Sequence, residues 1–318
     1  MLDLVIIGAA ATGCSAAVYA ARRNLNFVVI SKDIGGEVAL SGEVENWPGQ
    51  IHTTGVQLAQ DFHAHALSYN VKFENGLEVI DIVQEKNYHI VVTKDYAGAE
   101  CTFETKTVLI GSGIHPRIIG VPGENELKGR GVTYCTVCDG PLYKKKITTT
   151  IGAGNSGLES ALMMSTIAEK VYLLTKYSDT SETKGGFPKG ENILIEKVKQ
   201  LANVEIVYNA ETLQILGEKN VTGVKYRDIM SGEEKEITTN GVMVHVGMIP
   251  NSFFAKNIFK NAAGEIETDK IGATNIAGIF AAGDVTNIPY KQISIAAGQG
   301  VTAVLGAIDY INRWKEHK

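Results

Sequence analysis

The sequence predicts two doubly wound α/β domains, the second inserted into the first, each carrying a small antiparallel β-layer. Three observations predict this. A glycine turn closes an apolar strand at residues 8–13, another closes an apolar strand at residues 152–157, and short alternating runs follow each of them. The length of 318 residues exceeds the ~100–200 residues of a usual domain and favours two cores.

The first unit opens with the strand-length run at residues 2–7. Gly8-Ala9-Ala10-Ala11-Thr12-Gly13 comes next, then helix-compatible residues 15–23 and a second apolar run at 27–30. The same order returns at 147–151, Gly152-Ala153-Gly154-Asn155-Ser156-Gly157, the amphipathic stretch 158–167 and the run 171–174. One Rossmann-like βαβ design is thus used twice. Residues 71–74, 78–83, 89–93 and 102–105 read as an antiparallel meander, and 204–208, 212–215, 221–226 and 235–238 as another. Linkers rich in turn residues lie at 113–123 and around Pro250 in 247–251. Two linkers imply an insertion: residues 1–115 and 247–318 form one domain and 116–246 the other.

Hydrophobic residues make up 44% of the chain and charged residues 20%, the composition of an ordered globular protein. A net charge of −5 offers no basic field for nucleic acid, so no nucleic-acid partner is expected. The first apolar stretch breaks at Gly8, far short of the ~20 residues of a membrane helix, and has no basic residues ahead of it. The expectation is a cytoplasmic protein without a membrane partner.

A dinucleotide fold needs a tight turn, close backbone approach to the pyrophosphate, and free N–H groups at a helix start. In the first turn Gly8 and Gly13 occupy the outer positions, and Ala10 stands in the middle where glycine is usual. Alone, this turn also suits a flavodoxin-like fold without a nucleotide. The second strand ends Ile30-Ser31-Lys32-Asp33, and Asp33 is a candidate for a ribose hydroxyl. The second turn is a complete G-x-G-x-x-G through Gly152, Gly154 and Gly157, and argues for a pyridine nucleotide.

Cys135-Thr136-Val137-Cys138-Asp139 is the most specific segment. Two thiols at this spacing can close a small disulfide, and Asp139 can serve the proton transfers of exchange. The other readings are a zinc half-site or two inert thiols. Zinc needs two further ligands, and His63 and His65, two apart in a helical stretch, do not share a face. Redox chemistry is favoured. Cys14 and Cys101 have no such neighbour and read as small buried hydrophobes.

The cysteine segment resembles the active site of low-molecular-weight thioredoxin reductases, and the resemblance extends along the chain. Gly35-Gly36-Glu37 and Glu43-Val44-Glu45-Asn46-Trp47-Pro48-Gly49 resemble that family's flavin-contact segment. Gly278-Ile279-Phe280-Ala281-Ala282-Gly283-Asp284-Val285-Thr286 resembles its second FAD motif. The resemblance implies FAD as cofactor, with Asp284 on the ribityl chain and Gly283 permitting close approach. A helix starting near Lys291-Gln292-Ile293 would point at the flavin, and Ser31, Gly36, Glu37, Asn46 and Gly113 would contribute further contacts. It implies that Cys138 faces the flavin, Cys135 attacks the partner's disulfide, and Asp139 moves protons. Thioredoxin or a similar small dithiol protein would be the partner, in a homodimer whose inserted domain rotates.

The electron donor is less well specified. The family follows the strand at 171–174 with arginines for the 2′-phosphate of NADPH; this chain reads Thr175-Lys176-Tyr177-Ser178, and only Lys176 matches in charge. The intact turn, with Asn155, Ser156 and Lys176 beside it and Lys184 nearby, makes NADPH the leading expectation. Asn155-Ser156-Gly157 and Tyr290-Lys291-Gln292-Ile293 also resemble the flavoprotein subunit of alkyl hydroperoxide reductase, and NADH, reduced ferredoxin or another low-potential donor are the alternatives. A reading of another class is a flavin-binding redox sensor without turnover.

Overall fold

The computed structural model describes residues 1–41 and 43–314, the side chains of Glu43 and Cys138 excepted. Two compact units emerge, Met1–His115 with Ile249–Lys318, and Pro116–Met248. The α-helices in chain order are α1 (Ala11–Arg22), α2 (Gly36–Leu40), α3 (Gly55–Leu67), α4 (Thr136–Asp139), α5 (Asn155–Ser165), α6 (Asn192–Lys199) and α7 (Ile293–Arg313).

The first unit is built on one sheet in the order Phe73–Asn75, Phe27–Ile34, Leu2–Ala9, Glu100–Ile110, His89–Lys94, Glu78–Gln84, with Ile279–Ala281 also paired to Glu100–Ile110. The eleven residues of Glu100–Ile110 are divided between two kinds of pairing. Thr105 to Ile110 run parallel to Leu2–Ala9, while Glu100 to Thr105 run antiparallel to His89–Lys94. Leu2–Ala9 is apolar on both faces, as a strand covered on both sides must be. Leu4 and Ile6 face a core shared with Ala16, Ala17 and Ala20 of α1 and Ala303, Val304 and Ala307 of α7. Val5 and Ile7 face a second core with Val108, Ile110 and Ile279.

Helix α7 is long and apolar enough to cross a membrane by length and composition. Eight of its residues are buried, and the small ones let it approach α1: a β-carbon at Gly300 would stand 2.3 Å from the Thr12 carbonyl oxygen.

The second unit has a parallel sheet in the order Val132–Thr133, Gly241–Val244, Ile147–Ile151, Lys170–Leu174, Val204–Val207, and an antiparallel sheet of Ala210–Gly217, Val221–Asp228 and Glu234–Thr238. Helices α5 and α6 cover one face with Leu158, Ala161, Met164, Ile195 and Val198. The antiparallel sheet covers the other with Ile215, Val224 and Ile237.

Two segments expected in the meanders belong elsewhere. Residues 73–75 pair parallel to Phe27–Ile34, and 204–207 pair parallel to Lys170–Leu174. Each follows a helix, α3 or α6, and a strand reached through a helical crossover returns parallel. Cys101 also departs from expectation. It is exposed, whereas Cys14 is buried as expected, because Cys101 lies on the antiparallel half of its strand, whose first three residues, Glu100, Cys101 and Thr102, are all exposed.

Candidate functional site

In the first unit several segments converge on the start of α1. Gly8 has φ +106°, and a β-carbon there would lie 2.3 Å from the Gly111 carbonyl oxygen; one at Gly13 would lie 1.7 Å from the Gly8 carbonyl oxygen. Both positions exclude any side chain. Ala10 is the N-cap of α1 and makes no side-chain capping bond, and the first turn holds no acid. The amide groups of that turn are therefore available to an anion. The Ala10 methyl points toward the space at Gly36, where an added β-carbon would be 3.7 Å away, an ordinary contact. Alanine is thus accommodated opposite a glycine.

Thr12, which carried no site assignment, is the point of convergence. Its hydroxyl donates to the Ala296 carbonyl at 3.2 Å. A β-carbon at Gly111 would meet its Cγ2 at 2.8 Å, and one at Gly283 its Oγ1 at 2.2 Å. The threonine in the turn therefore explains three glycines remote from it in sequence, at 111, 283 and 300.

Asp284 follows Ile279–Ala281 on a short 3₁₀ turn, Gly283–Val285. Burial pushes its carboxyl above the usual carboxylate range, an effect that nearby Lys291 reduces. Among the described residues no side-chain hydrogen bond to its carboxylate is present, whereas Lys291 is paired to Glu265 at 2.8 Å and donates to the Thr286 carbonyl. The Gly283 amide donates to Gln299 on α7. Gln292 caps α7 without a side-chain bond to it, and instead accepts from Asn46 Nδ2 at 3.2 Å. Ile293 starts the helix and packs with Ala11 and Val38. Gly113, at φ +67°, faces open space.

Other expected contacts are already committed within the protein. The Ser31 hydroxyl donates to Asn75 at 3.0 Å, and Asp33 accepts from the Gly36 amide at 3.1 Å, so it caps α2 rather than standing free. Glu37 lies in the first turn of α2 and is half-buried.

The second turn is arranged differently. A β-carbon at Gly152 would lie 2.3 Å from the His245 carbonyl oxygen, and one at Gly157 would lie 3.0 Å from the Gly152 carbonyl oxygen. Gly154 is the uncapped N-cap of α5 and bridges to the backbone of Lys189. Asn155 is spent on a reciprocal pair, donating to Glu191 Oε1 and accepting from the Glu191 amide, each at 2.8 Å. Burial and the Glu191 charge both raise the Glu159 carboxyl. Ser156 is exposed on the first turn. Lys176 lies over the Tyr177 ring, and Lys184 donates to the Gly190 carbonyl at 3.4 Å, so neither forms an ion pair among the described residues.

Cys135 is half-buried and disulfide-bonded; the Cys138 side chain lies outside the described residues. Cys135 leads into α4, a single turn closed by the Asp139 amide donating to the Cys135 carbonyl at 3.1 Å. Upstream, the Cys135 amide donates to Thr133 Oγ1, and the Tyr134 hydroxyl donates to Glu124 at 2.7 Å. Glu124, only 1% exposed, also accepts from the amides of Ile119 and Gly120 and so pins the start of the unit. Burial raises the Tyr143 phenol, and the Asp139 charge adds to that rise. Among the described residues no group of histidine, cysteine and carboxylate side chains suits a metal ion.

Two dinucleotide-type turns, one of them in the unit that also carries a disulfide, define a redox protein of the doubly wound class. The profile of the pyridine nucleotide-disulphide oxidoreductase family matches residues 2–300, and the chain belongs to that family. It is 37% identical over 98% of its length to a subunit of alkyl hydroperoxide reductase from Staphylococcus aureus, and spans 59% of that relative. Its fold matches thioredoxin reductase from T. acidophilum with TM-score 0.77 at 36% identity, covering 99% of each chain. Thioredoxin reductase from Lactococcus lactis matches with TM-score 0.80 at 28% identity, over 98% of this chain and 100% of that one.

Proposed function

We propose that the chain is an FAD-dependent disulfide reductase that delivers electrons through the Cys135/Cys138 pair to a small disulfide protein of the thioredoxin kind. The observation that carries this reading is the Cys135 disulfide at the head of a one-turn helix, in a chain of this family. The first unit would hold FAD. The amides of α1 behind Gly8, Ala10 and Gly13 suit the pyrophosphate, and Asp284, half-buried and without a side-chain hydrogen bond among the described residues, suits a ribityl hydroxyl. Asn46, Gln292 and the start of α7 would line the ring. When bound, the flavin supplies two-electron transfer between the donor and the disulfide. Reduction of the disulfide takes two electrons and two protons, and Asp139, next to Cys138 in the chain, would carry a proton. Cys135 as thiolate then attacks the partner disulfide, and the partner leaves reduced once the Cys135/Cys138 disulfide re-forms.

NADPH is the proposed donor, on the strength of the complete Gly152, Gly154, Gly157 turn. A protein donor such as reduced ferredoxin is the second reading, favoured by Glu191 and Lys189 standing at the start of α5. Anaerobic titration of the flavin-loaded protein distinguishes them. Bleaching of the oxidised flavin band at stoichiometric NADPH is expected. Bleaching by NADH alone would reassign the nucleotide, and bleaching only by dithionite or reduced ferredoxin would remove the nucleotide from the reaction. Bleaching without reduction of any protein disulfide would leave a redox sensor.

A further inference from the structure

A helix of one turn cannot hold its own orientation: α4 is closed by the i to i+4 bond from the Asp139 amide to the Cys135 carbonyl. What faces outward from it is Val137, 45% exposed. What faces inward is Thr136, only 5% exposed. Its hydroxyl sits 2.7 Å from His245 Nε2 and 2.6 Å from Ser160 Oγ, and Ser160 in turn is 3.4 Å from Thr150 Oγ1 on the central strand. Ser160 and Thr150 are themselves buried. Among the described residues, the dithiol helix is thus anchored inward by a buried polar chain ending on an imidazole.

His245 is a rigid end for that chain. It directly follows Gly241–Val244, and its amide donates to the Ile151 carbonyl at 2.7 Å. Its carbonyl and Cβ fill the space that a side chain at Gly152 would take. Burial lowers its pKa to about 4, so the ring is neutral at physiological pH. A neutral imidazole nitrogen serves the Thr136 hydroxyl as donor or acceptor, according to its tautomer.

We infer that His245 is a positioning residue of the disulfide: through Thr136 it holds α4 in the orientation seen here, in which Cys135 is oxidised. The inference rests on the reading that this disulfide is a redox couple. Because the network is satisfied in the oxidised form, its loss favours the dithiol.

The test is equilibration of the full-length protein with glutathione, in which the protein disulfide and two glutathione thiols give the protein dithiol and one glutathione disulfide. Thiols are trapped by alkylation and counted by mass. His245→Leu, which can make no hydrogen bond, is expected to shift the equilibrium about fivefold toward the dithiol, about 20 mV for a two-electron couple. His245→Gln, which can donate or accept, is expected to stay within about twofold of the parent. Thr136→Val, which also removes the contact with Ser160, is expected to shift the equilibrium at least as far as the leucine variant, and the double variant to go no further than Thr136→Val alone, since the valine already removes the link to His245. Thr136→Val keeps the side-chain shape and gives an answer even if His245→Leu does not fold. An unchanged equilibrium in Thr136→Val, a shift toward the disulfide, or additive effects would overturn the inference. A parent protein whose disulfide does not exchange at all would instead sink the redox reading on which it rests.

Discussion

The two glycine turns of this chain invert the ranking that their motifs suggest. The first is incomplete, with Ala10 in the middle position, yet the start of α1 carries neither a capping side chain nor an acid. The second is complete, and the start of α5 likewise has no capping side chain and no first-turn acid, yet Asn155 there is tied to Glu191, and Gly154 is bridged by Lys189. Glycines therefore report where the backbone must pass closely, not whether the space before the helix is free. In the first turn the closest approaches are Gly13 on Gly8 and Gly8 on Gly111; the first is a strand–helix and the second a strand–strand packing contact, both needed whether or not a pyrophosphate binds.

The contrast is tested most severely by one methyl group in each turn. Gly13→Ala would place a β-carbon 1.7 Å from the Gly8 carbonyl oxygen, an overlap that only movement of α1 can relieve. We expect a loss of more than about 3 kcal/mol, read as poor soluble yield, a fall in melting temperature and loss of bound flavin. Gly154→Ala would meet nothing closer than Lys189 Cβ at 3.7 Å. It should cost less than about 1 kcal/mol, because ordinary contact distances need no backbone shift. Gly154 holds the middle position, the counterpart of Ala10, so equal costs would mean that the middle of the second turn is packed as tightly as the outer glycine of the first.

The repeat was legible in the sequence because a strand, a glycine turn and a helix each leave a local pattern. The antiparallel layers were legible from alternation, but the parallel strands at 73–75 and 204–207 were not, since their direction depends on α3 and α6 rather than on their own residues. The cysteine pair announces itself by spacing. His245 did not, because it meets Thr136 across 109 positions and carries no spacing signal. Thr12 could have been noticed: it is the one polar residue in an otherwise small and apolar turn, and its three glycine partners were all visible as glycines beside apolar runs.

The electrostatic side of the contrast predicts a more modest change. Glu191 brings a carboxylate to the start of α5, close enough to raise the Glu159 carboxyl, and a pyrophosphate bound there would meet that charge. Glu191→Ala is expected to tighten NADPH binding about three- to tenfold, the scale of one unfavourable charge pair near a protein surface. Isothermal titration at two salt concentrations gives the check, since the gain should shrink as salt screens it. Weaker binding in the variant would mean that the Asn155–Glu191 pair builds the nucleotide site instead of opposing it.

The slightest difference concerns the strands that lead into the two turns. Leu4, Val5, Ile6 and Ile7 enter the first turn wholly apolar, whereas Thr148, Thr149 and Thr150 enter the second, each fully buried. Thr150 lies within reach of Ser160, but the hydroxyls of Thr148 and Thr149 have no hydrogen-bond partner among the described residues. A buried hydroxyl without a partner carries its desolvation penalty uncompensated. Thr149→Val keeps the branched shape that the strand requires and removes the orphan group. It should therefore stabilise the protein by about 1 kcal/mol, seen as a melting temperature a few degrees higher. Val substituted for Thr150 should not stabilise, because it would take the last hydroxyl from the chain that runs through Ser160 to Thr136. If both substitutions stabilise equally, the contact between Thr150 and Ser160 contributes nothing, and the support beneath the dithiol helix ends at Ser160.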